Sequence, residues 1–231
     1  DGLLLGYLFG DSGHIVQNGG TLTVSGQFFV GRAGAGTYTL NGGLLDYNGT
    51  EFTLGREGDA TAGAASFYQK GGEVQAGINL TRAGSLYEIS GGTFTGNGWN
   101  RKVNTTIRVI GSAAAINVTG FAFRNDTADA YLEFVLDNSA NHISTVTHTG
   151  SGLRRNGHLD AELNGGVLLS GANQFNLVQS DSSMGGYAWA STPGDLWTYS
   201  GNVSDGGKYY ERISLDAAAD EGDLNASVEK N

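Results

Sequence analysis

The chain has 231 residues, no cysteine, one proline (Pro193) and a formal net charge of −10 at pH 7. The missing cysteines exclude disulfide staples, thiol chemistry and thiolate metal sites, and the acidic balance argues against nucleic acid and anionic membrane surfaces as partners and does not favour polyanionic ligands globally. Glycine is the commonest residue at 39, beside 39% apolar residues; collagen would need it at every third position and a flexible linker would lack the apolar content, so glycine here serves folded turns.

No run of about 18 apolar residues is present to span a membrane, so no membrane insertion is expected of these residues. Thr, Val, Tyr and Phe favour strands, and no long stretch keeps a 3.6-residue apolar period. Almost no helix is expected; the one helix-like stretch, Asp216 to Asp220, is too short to be stable alone. The chain starts at Asp1 inside a repeat pattern, without an initiator Met or signal peptide, and reads as a mature fragment or a cut piece.

From the N-terminus, four segments align on Gly-Gly pairs: residues 8–24, 29–47, 53–76 and 80–96, with the pairs at Gly19-Gly20, Gly42-Gly43, Gly71-Gly72 and Gly91-Gly92. Two residues after each pair stand Leu22, Leu45, Val74 and Phe94; four residues before it stand Ile15, Tyr38, Phe67 and Tyr87. Strand side chains alternate sides, so these columns should point into one lumen while Thr21, Thr23, Thr93 and Thr95 face water. No single repeat buries its apolar face, and stacking creates the core, which predicts an all-β, single right-handed parallel β-helix with about three short strands per coil. The insertion DATAGAAS (59–66) should bulge from one edge of the third coil.

Beyond Gly96 the glycines thin, but the runs TTIRVIG, AAINVTGFAF, AYLEFVLD, HISTVTH, HLDAELNG, VLLSG, QFNLVQ, LWTYS and YYERISL continue the strand pattern and suggest about five further coils. The domain reading is one solenoid over 1–231: regular repeats to residue 97, less regular coils over 98–180, and a loop-rich end or cap over 181–231. A solenoid needs covered ends, since a bare terminal coil exposes strand edges and core.

The runs GGTLTVSG, FVGRAGAGTYTLNGG and ISGGTFTGNG, followed by IRVIGSAAAINV, AYLEFVLDNSA, GHLDAELNGG and FNLVQSDS, resemble the extracellular β-helical repeat proteins of bacteria. Autotransporter-type passenger repeats and surface proteins with a carboxy-terminal PEP-type sorting signal are the nearest likenesses. The resemblance covers residues 3 to 180 and implies a secreted or cell-surface protein. It is specific for architecture and export, and weak for activity.

The repeat also aligns Arg32, Arg56 and Arg82, with Asp11 at the equivalent position of the first coil. A line of guanidinium groups one coil apart suits bidentate binding of carboxylate or sulfate groups on an extended polysaccharide; the competing reading pairs them with Glu57 and Asp59. Trp99, with Trp189 and Trp197 in similar Gly- or Ser-rich contexts, is a candidate sugar platform, against core or cap packing. A catalytic site would draw on Asp46, Glu51, Glu73, Glu88 and Lys70, whose repeat positions differ. His142 and His148 stand too far apart along an extended strand to share a metal, the acidic tail Asp216 to Asp223 matches no calcium loop, and the threonine pairs are interrupted by Leu44/Asp46 and Glu73/Gln75, which defeats an ice-binding ladder. No metal site and no cofactor is expected. The leading expectation is a non-catalytic extracellular stalk or adhesin that binds polysaccharide. A carbohydrate-active enzyme on an acidic glycan is the alternative, and a trimeric spike is a weaker third reading.

Overall fold

The computed structural model describes residues 2–56, 63–101, 104–119, 130–137, 141–150, 157–164, 174–184, 188–193 and 197–215. Three strands make each of the first coils: β1 (Leu3–Leu5), β2 (Ser12–Gln17) and β3 (Thr21–Val24), then β4 (Gln27–Val30), β5 (Ala35–Leu40) and β6 (Leu44–Tyr47), then β7 (Glu51–Leu54), β8 (Ala65–Gln69) and β9 (Glu73–Leu80). At β9 two faces merge, because its first half pairs with β6 and its last residues pair with β7. Two strands per coil follow: β10 (Leu86–Ile89) with β11 (Gly92–Arg101), β12 (Thr106–Ile110) with β13 (Ala114–Val118), β14 (Tyr131–Leu136) with β15 (Val146–His148), and β16 (His158–Leu163) with β17 (Gln174–Ser180). The result is a β-solenoid, with β2, β5, β8, β10, β12, β14 and β16 stacked as one parallel sheet.

The register places the two apolar columns where alternation requires them. Ile15, Tyr38, Phe67, Tyr87, Ile107, Leu132 and Leu159 lie in one continuous column, and Leu22, Leu45, Val74, Phe94, Ile116, Val146 and Val178 in another. The aromatic members stack along the axis: Tyr38 on Phe67 at 4.9 Å and Phe67 on Tyr87 at 5.2 Å between ring centroids. Such pairs add to burial by about 0.5 to 1.5 kcal/mol each.

Each Gly-Gly turn puts its second glycine in the left-handed region, with φ of 69° at Gly20, 88° at Gly43, 70° at Gly72 and 80° at Gly92. The turns then stack by hydrogen bonds of 2.8 Å, the Leu44, Glu73 and Thr93 amides donating to the carbonyls of Gly20, Gly43 and Gly72. Buried glutamines finish two of these corners. Gln17 Nε2 donates to the Leu44 carbonyl and Gln69 Nε2 to the Thr93 carbonyl, while their Oε1 atoms accept from the Tyr38 and Tyr87 hydroxyls of the following coils. Burial pushes the Tyr38 phenol up to about 12 and Tyr87 well above its ordinary value, so both remain neutral donors.

The C-terminal end departs from the sequence expectation. Among the described residues three further coils follow the four regular repeats, where about five were expected, and the runs LWTYS and YYERISL do not continue the parallel stack. They lie in β18 (Trp197–Asp205) and β19 (Lys208–Leu215), an antiparallel hairpin whose β19 also pairs antiparallel with β17. Asp205-Gly206-Gly207-Lys208 makes the turn, with φ of 57° and 79° at its two glycines, the two-residue pattern that matches the twist of a hairpin. No helix occurs among the described residues; the stretch Asp216 to Asp220 and residues 59–62 of the insertion lie outside them, and Ala65 and Ser66 already belong to β8.

Candidate functional site

The arginine column forms at the corner that follows the third face. Val30 pairs with Leu54 and Leu54 with Leu80, so Arg32, Arg56 and Arg82 each stand two residues past aligned strand ends. Gly31 and Gly55 turn the chain with φ of 74° and 66°, and the corner stacks through bonds from the Gly55 and Thr81 amides to the Val30 and Leu54 carbonyls. The strand ends that precede successive arginines are therefore about 4.8 Å apart, the interstrand spacing.

The rings beneath them explain how the guanidinium groups are held. Arg32 lies 4.7 Å from the Tyr7 ring centroid and 5.9 Å from that of Phe29, and Arg56 lies 5.8 Å from Phe29. A cation over an aromatic face gains about 0.5 to 1 kcal/mol at exposed sites and keeps its N–H edge directed outward. Tyr7, and not Asp11, takes the equivalent place in the first coil, because Leu5 pairs with Val30. The Asp11 carboxylate instead accepts the Leu8 amide and closes its own turn. Among the described residues no carboxylate lies within 4.0 Å of the Arg32 or Arg56 guanidinium; Glu57 and Asp59, the acids considered as their partners, lie outside those residues.

Trp99 does not join this site. It is 1% exposed, pairs with Ile78 in the lumen and stacks 4.7 Å from Phe94. A register shift between Thr95 and Gly98 in β11 sets this alignment, and turns inward a residue that its glycine-rich context had suggested for the surface. Trp189 and Trp197 are buried as well, at the capped end. Trp189 Nε1 donates to Glu211 Oε2 at 3.3 Å, and Tyr199 donates its hydroxyl to the same buried carboxylate.

The carboxylates weighed for catalysis are dispersed. Asp46 and Glu73 share the outer side of β6 and β9, with Glu73 accepting from Gln75 at 2.6 Å. Glu51 is on the third face, bonded to Thr53, and Glu88 is on the seven-stranded sheet. Outside these lies a ladder that sequence reasoning missed, although the alternation in IRVI, LEFVL and LDAEL marks it. Glu88, Arg108, Glu133 and Asp160 run in register across β10, β12, β14 and β16. Arg108 stands 2.8 Å from Glu133 and 3.6 Å from Glu88. Burial works to lower its pKa, but the bond to Glu133 and the charges of Glu133, Glu88 and Glu162 leave it above its ordinary value. Burial, then the charges of Asp160 and Glu133, raise Glu162, against the pull of Arg108. The ladder ties adjacent coils together and leaves its cation engaged by two acids.

The histidines occupy separate sites. His142 sits at φ 60° with Nδ1 2.6 Å from the Asp137 carbonyl. His148 is fully buried with Nδ1 3.0 Å from Ser180 Oγ. Burial lowers the His148 pKa below its ordinary 6.5, partly offset by Asp181. Above pH 6.5 the imidazole is neutral in both states; below it the unfolded chain takes up the proton first, so stability falls until the lowered folded value is reached. Melting measured between about pH 7 and pH 5 should show this decline, and His148→Gln should flatten it.

Among the described residues, no group of three or more His, Asp or Glu is placed to hold a metal ion. The feature that combines cation, aromatic support and repetition is the corner of the half-buried Arg32 and the exposed Arg56, with Arg82 in the next coil. No family model, no curated protein and no solved structure matches the chain.

Proposed function

We propose that the chain is a non-catalytic extracellular β-solenoid module, a stalk or adhesive surface, that binds anionic polysaccharide along the corner of Arg32, Arg56 and Arg82. The observation that carries this reading is the stacking of Arg32 and Arg56 about Phe29, one coil apart. Repeated cations on an extended edge suit a repeated ligand, which gathers many weak contacts into useful avidity. The dispersion of Asp46, Glu51, Glu73 and Glu88 over three faces weighs against the enzyme reading, which needs convergent acids.

The test incubates the protein with neutral, carboxylated and sulfated polysaccharides, following retention and the release of reducing or unsaturated ends. Retention on the anionic glycans alone, weakened by salt, is expected. Arg32→Gln and Arg56→Gln should each weaken it about 10-fold, the loss of one charged hydrogen-bonding group. Retention unchanged in the double variant would overturn the site, and release of new ends would replace the module with an enzyme.

A further inference from the structure

The arginine corner continues into a row of side chains on the outer side of the third face. Phe29, Thr53, Asn79 and Asn100 lie in register on β4, β7, β9 and β11. Core residues flank the first three on both sides (Phe28 and Val30, Phe52 and Leu54, Ile78 and Leu80), so alternation turns the row outward. Phe29 and Thr53 are 1% exposed, the one beside Arg32 and Arg56 and the other bonded to Glu51, whereas Asn79 is half-buried and Asn100 is exposed. Asn100 Nδ2 donates to Asn79 Oδ1 at 3.2 Å, which aligns two side-chain amides one coil apart. Arg82 follows Asn79 by three residues, as Arg32 follows Phe29 and Arg56 follows Thr53. Its stem crosses Gly55, where an added Cβ would stand 2.5 Å from Arg82 Cβ. Cations and amides thus form one surface that runs from coil to coil.

A glycine beside the amides leaves room for a ligand. Gly77 stands two residues before Asn79, on the same side of β9, and pairs with Gly98 of β11. It does not adopt a positive φ, and among the described residues its Cβ position meets only Asn97 Cβ, at 3.3 Å, on an exposed side chain that can give way. Neither the backbone nor the next coil therefore demands glycine at this position. A strand glycine of this kind marks the close approach of another group.

Local charge selects the ligand. Residues 74–125 hold five basic residues and one acid, Glu88, in a chain of net charge −10, and Glu88 faces Arg108 on the other sheet. One arginine per coil matches a polymer with one charge per unit. Several sulfates on each unit would set unmatched charge against the acidic remainder of the chain. A planar carboxylate fits the guanidinium fork, while amides over a glycine floor offer hydrogen bonds and a flat surface to a hydroxylated ring. A uronic acid carries both groups on every sugar.

We infer that the arginine corner and the Asn79–Asn100 row form one site for a uronic-acid glycan, with its carboxylates on Arg56 and Arg82 and its hydroxyls on Asn79 and Asn100. This rests on the polysaccharide-binding reading above and names its ligand. The experiment measures binding to polygalacturonate, to the same polymer fully methyl-esterified, and to polyacrylate, which has carboxylates but no hydroxyls. Polygalacturonate should bind about 10-fold more tightly than either. Asn100→Ala and Gly77→Gln should each weaken polygalacturonate about 10-fold and leave polyacrylate unchanged, while Arg56→Gln should weaken both. Asn100 is exposed, so its variant keeps the fold and carries the test even where Gly77→Gln lowers the melting temperature. Polyacrylate or the esterified polymer held as tightly as polygalacturonate would overturn the inference. So would polygalacturonate binding untouched by Asn100→Ala; in the polyacrylate and Asn100 cases an arginine site for polyanions would still stand. Binding to none of the three would overturn the inference and that site together.

Discussion

Phe67→Ala should lower folding stability by about 3 to 5 kcal/mol, read as a fall in the urea midpoint with little change of slope. Phe67 is 0% exposed and lies between Tyr38 and Tyr87, with Phe52 6.0 Å away across the lumen. Parallel ladders on both sides fix the positions of Tyr38 and Tyr87. The coils therefore cannot close on the void, and both the transfer energy and the cavity are lost. Phe67→Leu keeps much of the volume and should cost less than half as much. Equal losses from the two variants would show that the coils relax toward each other and that the column is not close-packed.

Gly92→Val should cost about 3 kcal/mol or more, from two separate causes. A φ of 80° disfavours any side chain, most of all a β-branched one, and a Cβ there would stand 2.2 Å from the Gly72 carbonyl oxygen. Gly20 distinguishes the two. Its φ is 69°, but nothing lies within 4 Å of its Cβ position. Gly20→Val should therefore show the conformational cost alone and be the milder substitution. If the two substitutions prove equally damaging, the coil-on-coil clash contributes nothing.

The Gly-Gly frame was legible because one physical requirement repeats. Each corner needs a left-handed residue and a close backbone approach, so aligning the pairs at Gly19, Gly42, Gly71 and Gly91 automatically aligned Ile15 with Tyr38, Phe67 and Tyr87. Past Gly96 the corners change type. Gly111 keeps a positive φ, but other turns use Asn104 and His142 in that conformation, and the marker disappears while the strands continue. The hairpin at the end carries a readable signal, Asp205-Gly206-Gly207, but in a chain of parallel coils it passes as one more glycine pair. Of the candidate site, the alignment of Arg32, Arg56 and Arg82 followed from the repeat. The aromatic support from Tyr7 and Phe29 did not, because it depends on how the corner folds back over the strand. Trp99 was misplaced for a related reason: a one-residue register shift reverses which side a strand residue faces, and composition does not reveal it.

The paired glutamine and tyrosine bonds also label the coils. Gln17 is matched by a hydroxyl from Tyr38 in the next coil, and Gln69 by one from Tyr87. Phe67 and Ile107, which hold the same column position in other coils, have no hydroxyl to offer. Were the third coil to stack directly on the first, Phe67 would stand where Tyr38 belongs, and a buried amide oxygen would lose its donor at a cost of about 1 to 3 kcal/mol. Backbone ladders alone accept any coil in any order. The alternating phenols make the sequence of coils itself part of what folding must get right.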